Sequence, residues 1–104
     1  MIHPHLAAQM DAIHKLCEQH QVARLYAFGS VVDGRFKPGK SDIDLLIEFE
    51  DVDEKQKAQS LFLLWVSFQQ LLQCKVDLIS AQNIEGEYFK KYLKLYKEQI
   101  FPKN

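Results

Sequence analysis

Cysteine is scarce: Cys17 and Cys74 are the only thiols in 104 residues, far apart and in no metal-like spacing. That is neither a disulfide framework nor a thiolate metal site. The expectation is two reduced, mostly buried thiols in a cytoplasmic protein. Long apolar runs are missing too. The longest strongly apolar run, Leu61 to Val66, is far too short to cross a bilayer, so no membrane association is expected. The N-terminus lacks the basic flank and apolar core of a signal peptide. Neither sign of charge is in excess: the formal net charge is −1, without the electrostatic signature of a general nucleic-acid binder. Direct nucleic-acid binding is therefore not expected, although a local basic patch stays open. His3, His5, His14 and His20 show no ligand spacing and read as surface or helix-face residues. No P-loop, dinucleotide fingerprint, nucleophile elbow or internal repeat is present.

What remains is an ordinary globular composition, 47% apolar and 26% charged, which excludes disorder and fits one domain over residues 1–104. Leu6, Met10, Ile13 and Cys17 recur at helical spacing and predict a helix over 4–19, with Pro4 suited to its start. Strands are expected at 22–28, 41–50 and 75–80, and a short helix at 30–36. A long helix at 54–73 carries Leu61, Leu64, Phe68 and Leu72 on one stripe. Phe62, Leu63, Trp65 and Val66 make its apolar surface wider than one sheet face needs. A last helix at 83–99 would present Phe89, Leu93, Tyr96 and Ile100, with Lys90, Lys91, Lys94 and Lys97 mostly opposite. The acidic cluster Glu48, Glu50, Asp51, Asp53 and Glu54 reads as a solvated turn. The fold class is α/β (α+β): a small mixed sheet of three main strands flanked by about four helices.

The stretch from Gly29 to Asp44 does not read as scaffold. The first strand delivers the backbone to Gly29-Ser30, a turn-rich loop follows, and the second strand opens with Asp42 and Asp44. Residues two apart on a strand share a face, with Cα atoms roughly 6–7 Å apart. Ile43, Leu45 and Ile47 then point the other way, into a core. The helix at 54–73 is long enough for a parallel crossover to the third strand. If those strands are neighbours, Asp77 falls level with Asp44, roughly 5 Å to the side. Three carboxylates at one sheet end must be hydrated or offset by cations, and carboxylate oxygens are the ligands Mg²⁺ prefers. Such a set beside a Gly-Ser turn suits two-metal phosphoryl transfer. Gly29 allows close approach of a phosphate, Ser30 offers a hydroxyl and an N–H, and Arg35, Lys37 and Lys40 can add positive charge.

Gly29-Ser30, Gly34, Ser41-Asp42-Ile43-Asp44-Leu45-Leu46-Ile47 and Val76-Asp77-Leu78-Ile79 together resemble the signature of the nucleotidyltransferase superfamily with a DNA polymerase β-like fold. The small size makes the chain most similar to the minimal nucleotidyltransferases, antitoxin-type partners of HEPN-domain ribonuclease toxins. The resemblance implies that Asp42, Asp44 and Asp77 are the catalytic residues and the ligands of two Mg²⁺ ions. It implies that Gly29 and Ser30, with Ser41 and Lys40, bind the nucleotide, with ATP as substrate. The implied reaction is attack of a hydroxyl on the α-phosphorus with release of pyrophosphate, AMP going to a tyrosine of a HEPN partner. The chain departs from many relatives at Asp33, where they carry Arg or Lys; an acid near a polyphosphate is unfavourable unless it points away.

Residues 1–104 leave no room for the helical domain with which larger relatives grip base and acceptor. A partner protein or a homo-oligomer is therefore expected to complete the site. Two other readings stand beside adenylyl transfer to a protein: a non-catalytic module that neutralises a partner by stoichiometric contact, and nucleotidyl transfer to a small-molecule hydroxyl.

Overall fold

A computed structural model describes residues 1–103. In chain order the elements are α1 (Pro4–Ala7), α2 (Met10–Gln19), β1 (Val22–Phe28), α3 (Ser30–Asp33), β2 (Ile43–Phe49), α4 (Glu54–Leu72), β3 (Val76–Ser80), a 3₁₀ turn (Ala81–Asn83), α5 (Glu87–Tyr96) and β4 (Glu98–Phe101). The strands form one mixed sheet in the order β3-β2-β1-β4. β1 runs antiparallel to β2 and β4, whereas β2 and β3 are parallel, joined by α4.

The sheet has four strands rather than the three expected. The helix predicted over 83–99 stops at Tyr96, and Lys97 turns extended (ψ 145°). Ile100, expected on the helix stripe, is buried in β4 beside β1 instead. β-branched Ile100 and aromatic Phe101 suit a strand, and Pro102 biases the residue before it toward extended backbone. The helix expected over 4–19 is likewise two helices, interrupted at Ala8–Gln9. Its first turn is held separately: His3 N–H donates to Val31 O (2.9 Å), and His5 Nε2 donates to Leu72 O (2.6 Å). His14 Nε2 does the same to Ile100 O (2.6 Å). These two imidazoles tie helices to distant backbone, which explains their place on helix faces.

Two cores lie on opposite faces of the sheet. The larger packs Ile43, Leu45 and Ile47, all fully buried, against Leu6, Ile13, Cys17, Leu64 and Phe68 from the helices. The smaller contains Phe28, Leu46 and Leu93, with Tyr26, Ile79, Phe89 and Tyr92 around them, under α5. Strand alternation therefore sends Asp44 to the same side as Leu46, the α5 face. Cys17 sits in the larger core, where burial first and Glu18 second push its thiol up to about 12. Both cysteines are free. Among the described residues no helix is long and apolar enough to cross a membrane.

α4 buries Leu64, Phe68 and Leu72 but leaves Phe62 and Leu63 exposed, so the excess apolar width is turned outward. The acidic turn before α4 does more than face water. Asp53 is the N-cap, and its Oδ1 accepts from Gln56 N–H (2.8 Å). Asp53→Ala should cost about 1 kcal/mol in urea-induced unfolding, with no change in the denaturant slope. An unchanged midpoint would show that water replaces the cap in full.

Candidate active site

β1 ends at Phe28, which lies opposite Asp44 in the antiparallel ladder. Directly opposed residues on paired strands share a face, so Gly29, one step further on, arrives over the Asp44 side chain. A Cβ placed on Gly29 would lie 2.4 Å from Asp44 Oδ2. Gly29 also has φ +74° and ψ −147°, backbone that is essentially reserved for glycine. Its carbonyl accepts from Val32 N–H (3.0 Å) and Asp33 N–H (3.1 Å), which closes the single turn of α3 and places Ser30 at its first position.

The parallel ladder pairs Asp44 with Asp77, in the register expected from the crossover. Asp42 precedes β2 by one residue; it is exposed, and Lys75 Nζ stands 4.0 Å from its Oδ2. Asp44 is half-buried. Burial first, then the charges of Asp77 and Asp42, push its carboxyl up from 3.8 to about 6. Like charges therefore gather at this sheet end, on the face that α5 partly covers.

The remaining expected site residues lie in the connecting loop. Ser41 Oγ accepts from Lys37 N–H (3.0 Å), while Ser41 N–H donates to Lys37 O (2.9 Å), so this serine closes the loop leading to Asp42. Lys40 is exposed on the turn before it. Asp33, the unusual acid, is turned onto Arg35: Arg35 Nε donates to Asp33 Oδ2 (2.9 Å) and Arg35 N–H to Oδ1 (3.1 Å). The guanidinium bond holds the Asp33 carboxyl below its usual range. The acid therefore carries its own counter-charge.

Among the described residues no three of His, Cys, Asp and Glu come together closely enough to hold a metal ion by themselves. A hard cation such as Mg²⁺ does not need such a set. It is ordinarily held by one or two carboxylates together with substrate phosphates and waters. A half-buried Asp44 flanked by Asp77 and Asp42, whose mutual repulsion a cation would relieve, fits that donor set.

Two residues escaped the reading of the sequence. Tyr92 and Tyr96 of α5, with Gly29, Val32 and Asp33, line a cavity of about 440 Å³. Helical spacing puts Tyr96 on an apolar stripe, yet it is 58% exposed. The available signal was an aromatic pair at i and i+4 on a helix otherwise crowded with lysines.

Comparison with known proteins concerns the fold and the family. A Methanocaldococcus jannaschii protein to which protein adenylyltransferase activity is ascribed is 32% identical over 76 residues, 73% of this chain and 74% of that one. A solved structure ascribed to a minimal nucleotidyltransferase superposes with a TM-score of 0.64 at 29% identity, covering 90% of this chain and 92% of its own. The same fold recurs in a complex of a tri-AMPylated Shewanella oneidensis HEPN toxin with its minimal nucleotidyltransferase antitoxin. There the TM-score is 0.62 at 18% identity, with coverage of 93% and 72%. The family described as "Nucleotidyltransferase domain" matches residues 10–101, and the chain belongs to it.

Proposed function

We infer that the chain transfers AMP from ATP to a hydroxyl, a tyrosine of a HEPN-type toxin partner, and so acts in the cytoplasm as its antitoxin. The observation that carries this reading is the register pairing of Asp44 with Asp77, opposite a glycine whose missing Cβ leaves room beside Asp44. The toxin carrying AMP in a structurally similar complex supports the acceptor class. Asp42, Asp44 and Asp77 would hold Mg²⁺, which when bound supplies charge neutralisation at the transferring phosphoryl group. Gly29 admits the phosphates, and Ser30 donates its hydroxyl and amide hydrogens to the β- and γ-oxygens. Lys40 and Ser41 border the same approach. The acceptor oxygen forms a bond to the α-phosphorus as the bond to pyrophosphate breaks. Asp77, exposed at the sheet edge, would take the acceptor proton.

The test is co-expression with a HEPN partner followed by intact-mass analysis. The expected result is an ATP- and Mg²⁺-dependent gain of one or more AMP groups, abolished by Asp42→Asn combined with Asp44→Asn. The exposed Phe62 and Leu63 of α4 favour a second reading, neutralisation by contact alone. Neutralisation that survives the double substitution would select it. A second copy of the chain on the same face is the alternative occupant, and sedimentation of the isolated protein separates the two.

A further inference from the structure

Apart from Gly29, the residues that line the cavity between α3 and α5 have no part in the steps above. The cavity wall is largely aromatic and apolar, built from Tyr92, Tyr96, Val32 and the backbone of Gly29. Phe89 and Tyr92 are stacked with centroids 6.3 Å apart and planes 8° from parallel. Tyr96 continues the row, 5.2 Å from Tyr92. Phe28 anchors it from the sheet, 5.8 Å from Phe89. Packing accounts for Phe89 and Tyr92, which close the smaller core. It does not account for Tyr96, whose ring stands 58% exposed at the open end of the row. The cavity's one charged lining residue, Asp33, is bonded to Arg35.

Gly29 belongs to both places: it lines this cavity and abuts Asp44 Oδ2. We propose that the cavity seats the nucleobase of the nucleoside triphosphate, stacked on the Tyr92–Tyr96 row. This rests on the nucleotidyltransfer reading above and names the part of the substrate that reading leaves unplaced. An aromatic and apolar wall whose one acid is already paired with Arg35 offers a flat stacking surface that suits a neutral heterocycle. The acceptor is the less favoured occupant, because Asp77 lies on β3, across β2 from the strand that ends at Gly29. Stacking on tyrosine is also tolerant of base identity, since every base has a π-face. The site therefore sets affinity more than it selects among bases.

Calorimetric titration of the full chain with ATP and Mg²⁺, and separately with inorganic tripolyphosphate and Mg²⁺, tests this. Tyr96→Ala is expected to weaken ATP binding about tenfold and to leave tripolyphosphate binding unchanged. Tyr96→Phe keeps the ring and should retain ATP affinity. Tyr88→Ala, at a position 92% exposed on the same helix, serves as the control and should do nothing. If Tyr96→Ala leaves ATP affinity intact while wild type binds both ligands, the base assignment is overturned and the catalytic reading stands. If Tyr96→Ala instead weakens only capture of the acceptor protein, the cavity takes the acceptor's ring and the assignment again fails. If wild type binds neither ATP nor tripolyphosphate, the nucleotidyltransfer reading falls and this one with it.

Discussion

Asp44→Asn should lower nucleotidyl transfer by about 10³-fold or more and, in metal-free buffer at neutral pH, raise the melting temperature. The first effect follows from losing the central carboxylate of the three. Several kcal/mol of charge stabilisation at the phosphoryl group are at stake, and each 1.4 kcal/mol is about tenfold in rate. The second follows from the burial and the neighbouring acids that push the Asp44 carboxyl up from 3.8 to about 6. Between those values the folded state binds more protons than the unfolded chain, so stability falls as pH rises through that window. The stabilising contribution of the protonated form is complete below 3.8 and lost as pH passes about 6. An uncharged Asn avoids that loss. The variant's advantage should thus appear at pH 7–8 and vanish near pH 4. The group is half-exposed, so screening keeps the gain under about 1 kcal/mol. Added Mg²⁺ should reverse the order by stabilising wild type alone. Thermal melts across this pH range, with and without Mg²⁺, read all of it. A large drop in melting temperature for the variant without metal would make Asp44 a structural residue, and the site assignment would not survive.

Gly29→Ala should separate activity from folding in the other direction. The backbone at φ +74° and ψ −147° costs a non-glycine residue about 1–3 kcal/mol, and the added methyl carbon would meet Asp44 Oδ2 at 2.4 Å. The obstructing atom is the end of a side chain, so Asp44 can rotate away and the chain still folds. What it loses is the position of its carboxylate. A displacement of about 1 Å at a reacting centre costs on the order of 10²-fold. The expected outcome is a folded protein, moderately destabilised, with transfer reduced at least about 100-fold. Gly34→Ala is the comparison: Gly34 also has positive φ (+90°), but nothing lies within 4 Å of its added Cβ. It should lose stability without that loss in rate. Equal activity losses in the two variants would mean that strain in the loop, not the proximity of Gly29 to Asp44, is responsible.

The sheet end that carries Asp42, Asp44 and Asp77 is the most legible part of the sequence, for a physical reason. β1 and β2 are inner strands of mostly apolar residues, and glycine, proline and aspartate punctuate the chain between them. β1 was expected at 22–28, and the structure begins and ends it there. The level placement of Asp44 and Asp77 follows from the length of α4, which is enough for a parallel crossover between neighbouring strands, and not from either residue alone. The C-terminal quarter was less legible. Phe89, Leu93, Tyr96 and Ile100 keep helical spacing although the helix stops at Tyr96, and no glycine marks the stop. Periodicity there described two elements as one, and it hid the difference between a tyrosine in a core and one at a cavity mouth. Asp33 shows a different shortfall. Its effect depends on the direction of a side chain two residues from an arginine, which only coordinates can supply.

Asp44 and Asp77 belong to strands that meet only after the whole of α4 has been made and folded back between them. During synthesis the glycine bend and the first two acids leave the ribosome well before their third companion. Closing so long a loop is a late, entropically costly event, and the contacts it brings come together. A half-emerged chain therefore holds the glycine bend and the first two acids without the third. Asp44 and Asp77 come level only with the β2–β3 pairing, and the larger core is complete only when Ile100 and Phe101 of β4 join it.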